Sequence, residues 1–305
     1  MSVRIAVLIV TRDRPTELIR CLQSIFNQTY RNFEVHVLDD GSGDRSIGAE
    51  LDAYFDDGAV RYCRVNQSVG ATQGRNLLAK HARGDVFCFL DDDAYFENHD
   101  SLQRLAESFE QYDEMGVAAL QITDYRKQAP RLLLPYRRWT LRRHPELRNR
   151  PGKVSYYLGC GFAVRREAFT ACDGFEPFLY YGEDELDFSY RVLEEGYEIR
   201  YVPDVQIAHV PGTPLLAGKE GKGKLYYHVR NRFYLLYRYI PAKYAFSYAL
   251  VWGTVYTYFA LRHGRLGSTL QGLVAGLKGL PMWSREPISP QVVRYLRENH
   301  GRLWY

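Results

Sequence analysis

Three acidic clusters carry the residues best suited to chemistry. Asp39-Asp40-Gly41-Ser42 ends one apolar run, Asp91-Asp92-Asp93 ends another, and Gly182-Glu183-Asp184 opens a helical stretch. The first can offer a carboxylate to a base or a ribose hydroxyl, with Gly41 allowing a tight turn. The second packs three carboxylates into consecutive positions, which is costly unless a cation or solvent neutralises them. A hard divalent ion such as Mn2+ or Mg2+, bridging to a diphosphate, is the natural partner. In the third, acids at a helix start complement the macrodipole and cap free N–H groups. Taken singly, each cluster is ordinary turn or cap chemistry; their co-occurrence in one chain points to a site.

The elements that must hold these clusters alternate between strand and helix. Residues 3–10, 33–38, 60–65 and 86–90 read as strands, the first a continuous apolar run such as a strand covered on both faces needs. Pro15 opens a helix whose Leu18, Ile19, Leu22, Ile25 and Phe26 recur at helical spacing. Further helices are expected at 70–82 and 102–112, with a strand at 117–122. Spacing of this length is that of βαβ units, so the fold class is α/β, a doubly wound and mostly parallel sheet. Ligands of such sheets bind outside the carboxyl ends of the strands, where two of the acidic clusters fall.

The alternation stops near Asp124. Residues 125–153 form an Arg-rich, loop-like insert with Tyr136, Trp139, Arg142 and Arg143. A strand at 156–164, a short helix at 165–171, a helix from 182 that closes at Gly196, and two short strands at 198–202 and 205–210 follow. From about residue 219 the chain reads as helical and rich in aromatic side chains.

In this order the residues resemble a family 2 glycosyltransferase of the GT-A fold, which moves a sugar from a nucleotide-sugar donor to an acceptor. The resemblance rests on Thr11-Arg12-Asp13-Arg14, Ser24 to Tyr30, Leu38-Asp39-Asp40-Gly41-Ser42, Gly70 with Gly74-Arg75-Asn76, and Gly84-Asp85. It continues through Leu90-Asp91-Asp92-Asp93, Gly159 to Arg166, Tyr181 to Asp187, Gly196-Tyr197, His209 and the segment His228-Val229-Arg230-Asn231-Arg232. It implies a catalytic domain over 1–218, with a nucleotide-sugar half at 1–115 and an acceptor half at 116–218, and a helical extension over 219–305. Residue by residue it implies that Thr11, Asp13, Asp40 and Arg75 line the nucleobase and ribose pocket, and that Asp92 lies near the ribose and donor sugar. Asp91 and Asp93, with His209, would hold a divalent cation on the diphosphate. Asp184 matches the catalytic base, with Glu183 supporting it or touching the acceptor. One carboxylate opposite the leaving group gives a single displacement with inversion, and relatives of this kind commonly build cell-surface polysaccharides.

Two other readings are weaker. A sugar-1-phosphate nucleotidyltransferase would carry a glycine-rich phosphate loop after the first strand, and Thr11-Arg12-Asp13-Arg14-Pro15 has no glycine. A catalytically silent binding or scaffold subunit would not need an intact Asp91–Asp93 set together with Asp184.

Composition agrees with a globular enzyme. Over 305 residues, 46% are hydrophobic and 25% charged, which excludes collagenous, disordered and multi-span membrane chains. A net charge of +4 is too mild to argue for nucleic acid. Five scattered cysteines without a C-x-x-C pair read as reduced thiols. With an N-terminal apolar run too short for a secretory signal, the expected location is the cytoplasm or the inner face of the cell membrane. Residues 244–261 carry no charge but are diluted by tyrosine, threonine, serine and glycine. They read as an interfacial or bundle helix, packed on a membrane, on a second subunit or on the protein's own domain, rather than as a span. Residues 266–280 read as a second amphipathic helix. The expected acceptor is a saccharide or a lipid-linked sugar. The Arg-rich insert is either a solvated loop beside the acceptor cleft or a lid contacting anionic acceptor or lipid headgroups.

Overall fold

The structure is a computed structural model that describes residues 2–43, 47–126, 129–210, 223–301 and 303. In chain order the elements are β1 (Ile5–Thr11), α1 (Pro15–Phe26), β2 (Phe33–Asp39), α2 (Ile47–Tyr54), β3 (Val60–Arg64), α3 (Gly70–His81), β4 (Val86–Asp91) and β5 (Ala94–Phe96). Then come α4 (Ser101–Gln111), β6 (Met115–Asp124), β7 (Arg131–Leu133), α5 (Arg138–Arg143), β8 (Gly152–Lys153), β9 (Gly161–Arg165), α6 (Arg166–Ala171), α7 (Asp184–Glu194) and β10 (Glu198–His209). Four helices close the chain: α8 (Lys224–Tyr239), α9 (Ala242–Arg262), α10 (Leu266–Gly279) and α11 (Pro290–Glu298).

The strands form one sheet in the order β3-β2-β1-β4-β9-β6-β10-β5. The wing from β3 to β4 is parallel throughout. β9 runs antiparallel to both β4 and β6, and β6 is parallel to β10. β1, β2, β4, β6 and β10 therefore all end on the same edge, which is what gathers their terminal residues. The parallel strands are buried on both faces: α1 and α4 cover one with Leu18, Leu22, Leu102 and Leu105, while Phe89, Phe162, Phe175 and Phe188 fill the other.

Three sequence expectations are corrected. Among its described residues the insert at 125–153 is not all loop. β7 pairs with β6, β8 pairs with β10, and the Tyr136 ring meets Tyr201 and His300 edge-on, at 5.7 and 5.3 Å. The strand expected over 156–164 begins only at Gly161. The two strands expected at 198–202 and 205–210 are one strand, β10, whose register slips between Val202 and Gln206, at Pro203; proline lacks the N–H that a regular ladder would use there. α2 and β5 were not anticipated. The boundary expected at 218/219 lies outside the described residues.

α10 docks on α8 through glycines. Gly272, Gly276 and Gly279 are its buried residues, and a Cβ at Gly276 would stand 2.8 Å from Cβ of Phe233. Overpacking of this kind costs about 1–3 kcal/mol, so Gly276→Leu should lower the urea midpoint by that much stability at an unchanged slope. A variant as stable as the parent would show that α10 does not rest on α8.

Candidate active site

The site is built at the shared strand edge. Thr11 ends β1 in register with Asp39 on β2, and Val10 is in register with Asp91 at the end of β4. After the turn at Asp92 and Asp93 the chain reverses into β5, which pairs Ala94 with His209 at the end of β10. A backbone bond from Val210 N to Asp93 O (2.9 Å) closes the junction. One ligand atom from each of Asp91, Asp93 and His209 lies within 4.8 Å of the others.

These acids are held by cations. The Arg14 guanidinium donates to Asp92 (3.0 Å) and to Asp93 (2.7 Å), and the Thr11 hydroxyl donates to the other oxygen of Asp92 (2.8 Å). Burial pushes the Asp92 carboxyl up to about 7 against the pull of Arg14. For Asp93, burial acts in the same upward sense, but His209 and Arg14 outweigh it and hold the carboxyl below its ordinary range. His209 Nε2 stands 3.2 Å from Asp93, while its Nδ1 is buried with no hydrogen-bond partner among the described residues. Two carboxylates and an imidazole, one ring nitrogen of which is orphaned, are a donor set that suits Mn2+ or Mg2+. The residues present thus fit a divalent cation.

Arg75 connects this group to α7. Buried on α3, its guanidinium donates to Asp91 (3.1 Å), to Asp184 (2.8 Å) and to the carbonyl of Gly159 (2.8 Å). One planar fork therefore touches a member of the trio Asp91, Asp93 and His209 and the first residue of α7 together, so the two carboxylates lie on either side of one guanidinium. Burial raises the Asp184 carboxyl, with Arg75 opposing.

Asp184 is presented by a constrained turn. Tyr180 and Glu183 have positive φ (57° and 69°), as does Gly182 between them (75°). Left-handed backbone at non-glycine residues costs energy that the surroundings must supply. α8 supplies it: Asn231 Nδ2 donates to the carbonyls of Leu179, Tyr181 and Gly182 at 2.9, 3.0 and 2.8 Å, and Arg230 donates to those of Phe178 and Leu179. Glu183 is clamped by Arg232, by His228 (3.1 Å) and by the Tyr256 hydroxyl of α9 (3.3 Å). Burial alone would raise the Glu183 carboxyl; Arg232 and then His228 overcome it and bring it down to about 2.

Of the residues singled out from the sequence, Thr11, Asp91, Asp92, Asp93, Arg75, Asp184 and His209 come together. Arg75 stands among the carboxylates rather than beside Asp13 and Asp40. Asp40 is buried and spent on the chain, accepting from Ser68 Oγ (2.6 Å), Val69 N (2.6 Å) and Gly70 N (3.2 Å), so that it fixes the start of α3. Asp13 joins the ends of β1 and β2, accepting from Gly43 N (2.8 Å) while its own N–H donates to Ser42 Oγ (2.9 Å). Glu183 is engaged with α8 and α9, which suits the first of its two expected parts, supporting Asp184, rather than contact with an acceptor. Sequence reasoning missed what Arg14, Asn231 and Arg232 do; the last two lay in a segment that stood out, but their partners lie far away in the chain.

A mixed sheet with its acidic edge, closed by a carboxylate at a helix start, defines a GT-A fold. A family profile described as Glycosyl transferase family 2 matches residues 6–172, more than half of the chain, and the chain belongs to that family. Glycosyltransferase GlyG of Streptococcus pneumoniae serotype 4 is 34% identical over 94 residues, which is 30% of this chain and 31% of that protein. The match thus spans about a third of that relative's length. Among solved structures, GalNAc-T7 with UDP, GalNAc and Mn2+ superposes with a TM-score of 0.63 at 19% identity, covering 81% of this chain and 50% of that one. Staphylococcus aureus TarS 1–349 in complex with UDP gives 0.56 at 17%, covering 74% and 63%.

The clamp on Glu183 has a measurable sign. Its folded carboxyl lies at about 2 against an ordinary 4.5, so it contributes about 3 kcal/mol above pH 4.5, lost as the pH falls toward 2. Arg232→Gln leaves a buried carboxylate without its main partner and should cost about 3–5 kcal/mol at neutral pH. Urea unfolding at neutral and acid pH should show the variant losing less than the parent on acidification. Equal pH slopes would rule out the ion pair as their source.

Proposed function

We propose that the chain transfers a sugar from a nucleoside-diphosphate sugar to an acceptor hydroxyl, with inversion at the anomeric carbon and Asp184 as the base. The observation that carries this reading is the Arg75 guanidinium shared between Asp91 and Asp184, because the leaving group and the attacking hydroxyl must flank one sugar ring. Asp91, Asp93 and His209 are the residues that would hold Mn2+ or Mg2+, which when bound takes up negative charge on the departing nucleoside diphosphate. Thr11 and Asp13, at the end of β1, would border the nucleoside, with Asp40 fixing the wall behind them. Asp92, tied to Thr11, would sit at the ribose and sugar. Asp184 accepts the proton of the acceptor hydroxyl at its carboxylate; Arg75 orients that carboxylate and favours its ionised form. The association of GalNAc-T7 with UDP, GalNAc and Mn2+, and of TarS with UDP, supports the donor class and the cation. Assembly of a cell-surface polysaccharide or glycolipid is the proposed setting.

A thermal-shift screen of UDP-, GDP-, dTDP- and CMP-sugars with and without Mn2+ identifies the donor. A ligand at a hundredfold excess over its Kd stabilises the native state by about 2.7 kcal/mol. With that donor, Asp184→Asn should lower turnover by at least about 10²-fold while keeping the thermal shift. Turnover near the parent's would refute the base assignment, and a screen in which no nucleotide sugar shifts the melt would refute the donor class.

A further inference from the structure

α10 packs against the usual order of side chains, and α9, whose inner face carries Tyr244 and Tyr248, leaves further apolar groups on its outer face. Most large apolar groups on α10 point outward: Leu266, Leu270, Val274 and Leu277 are about half exposed, Leu273 alone of its leucines packs inward, and its buried residues are glycines. On α9, Phe246, Leu250 and Leu261 are 80%, 59% and 63% exposed. Positions 246, 250, 254, 258 and 261 follow helical spacing along one face of α9, and 266, 270, 274 and 277 do so on α10. A helix in water hides its leucines and shows its small residues; one that meets hydrocarbon does the reverse. The exposed apolar side chains lie on two consecutive helices, more than the single scattered residues of an ordinary surface.

Charge says what covers the face. From residue 221 to residue 285 the sequence has no Asp or Glu and 10 Lys or Arg. Several of these cations turn inward, Arg232 to Glu183 and Arg230 to the 178–179 carbonyls. Lys243, Arg262, Arg265 and Lys278 stay exposed, at the ends of α9 and α10. A second copy seated on the same face would bring these cations together with no carboxylate between them. A surface of anionic lipid headgroups answers both features, since it accepts apolar side chains beneath a negative layer. No helix among the described residues is long and apolar enough to cross a membrane, so the helices would lie in the interface plane.

We infer that the outer face of α9 and α10 binds the surface of a bilayer carrying anionic lipids. The inner face of α9 reaches Glu183 through Tyr256, so the bilayer contact lies one helix away from the residue beside Asp184. The contact stands independently of the proposed transfer reaction, and its test does not use that reaction.

The test is co-sedimentation of the full chain with phosphatidylcholine vesicles, with and without phosphatidylglycerol. The protein should pellet with the anionic vesicles and release as salt is raised. Arg262→Gln with Arg265→Gln should weaken that binding by about 30-fold, at about 1 kcal/mol per cation near the surface. Leu250→Glu with Leu270→Glu should abolish it. These side chains are exposed, so both variants should melt as the parent does; should the leucine pair fail to fold, the arginine pair decides alone. Failure to pellet with anionic vesicles at low salt would overturn the inference. So would a dimer in sedimentation velocity that Leu250→Glu with Leu270→Glu splits, in a protein that ignores vesicles.

Discussion

Carboxylates gathered at the ends of parallel strands repel one another and resist leaving water, and every feature of the site answers that cost. The sheet brings Asp91, Asp92 and Asp93 to an edge where His209 also ends. Arg14 and Arg75 then divide the neutralising work. Arg14 lies on Asp92 and Asp93, while Arg75 spans Asp91 and Asp184. A buried guanidinium with two carboxylates on one fork is planar, permanently charged and hard to replace by lysine. It fixes the strand-edge carboxylates relative to the first residue of α7, the two sides between which the proposed transfer would take place. Remove it, and buried Asp184 and partly exposed Asp91 lose both their compensation and their mutual register.

The C-terminal helices belong to the same device. The turn that presents Asp184 runs through positive φ at Tyr180, Gly182 and Glu183, and it persists because α8 ties down its carbonyls and its acid. Asn231 holds three carbonyls with one side chain, and Arg232 neutralises Glu183 from within a layer of aromatic rings, its guanidinium 3.8 Å from the Trp252 ring centre. The many tyrosines are part of that layer: Tyr234, Tyr244 and Tyr248 are fully buried, and the hydroxyl of Tyr239 donates to Asp187. The family match ends at residue 172, so the extension that braces α7 lies beyond it.

The sequence made the parallel wing legible because strands buried on both faces are continuous apolar runs, and the acidic ends of β2 and β4 stand out against them. The roles of the edge residues Thr11, Asp91, Asp93, Asp184 and His209 were implied by the resemblance to family 2 glycosyltransferases. What escaped was either short or long-range. β5, β7 and β8 have three residues or fewer, too few for alternation to register, and they exist because neighbouring strands offer free edges. Pro203 made one strand look like two. The insert at 125–153 looked polar because its outward positions are, while Tyr136 and Leu134 are buried beneath it. Arg75, Glu183 and Asp40 were visible as charged residues in suggestive places, but a side chain's partner is decided by tertiary contact. Each of the three found one in a distant part of the chain.

The central claim is that Asp91, Asp93 and His209 form a cation site. Pulsed electron paramagnetic resonance of Mn2+ bound to the full chain, in the presence of the nucleoside diphosphate that stabilises it most, reads the ligands directly. The account predicts nitrogen coupling from a coordinated imidazole, lost in His209→Ala. A spectrum of fully hydrated Mn2+, unchanged by adding the protein, would contradict it.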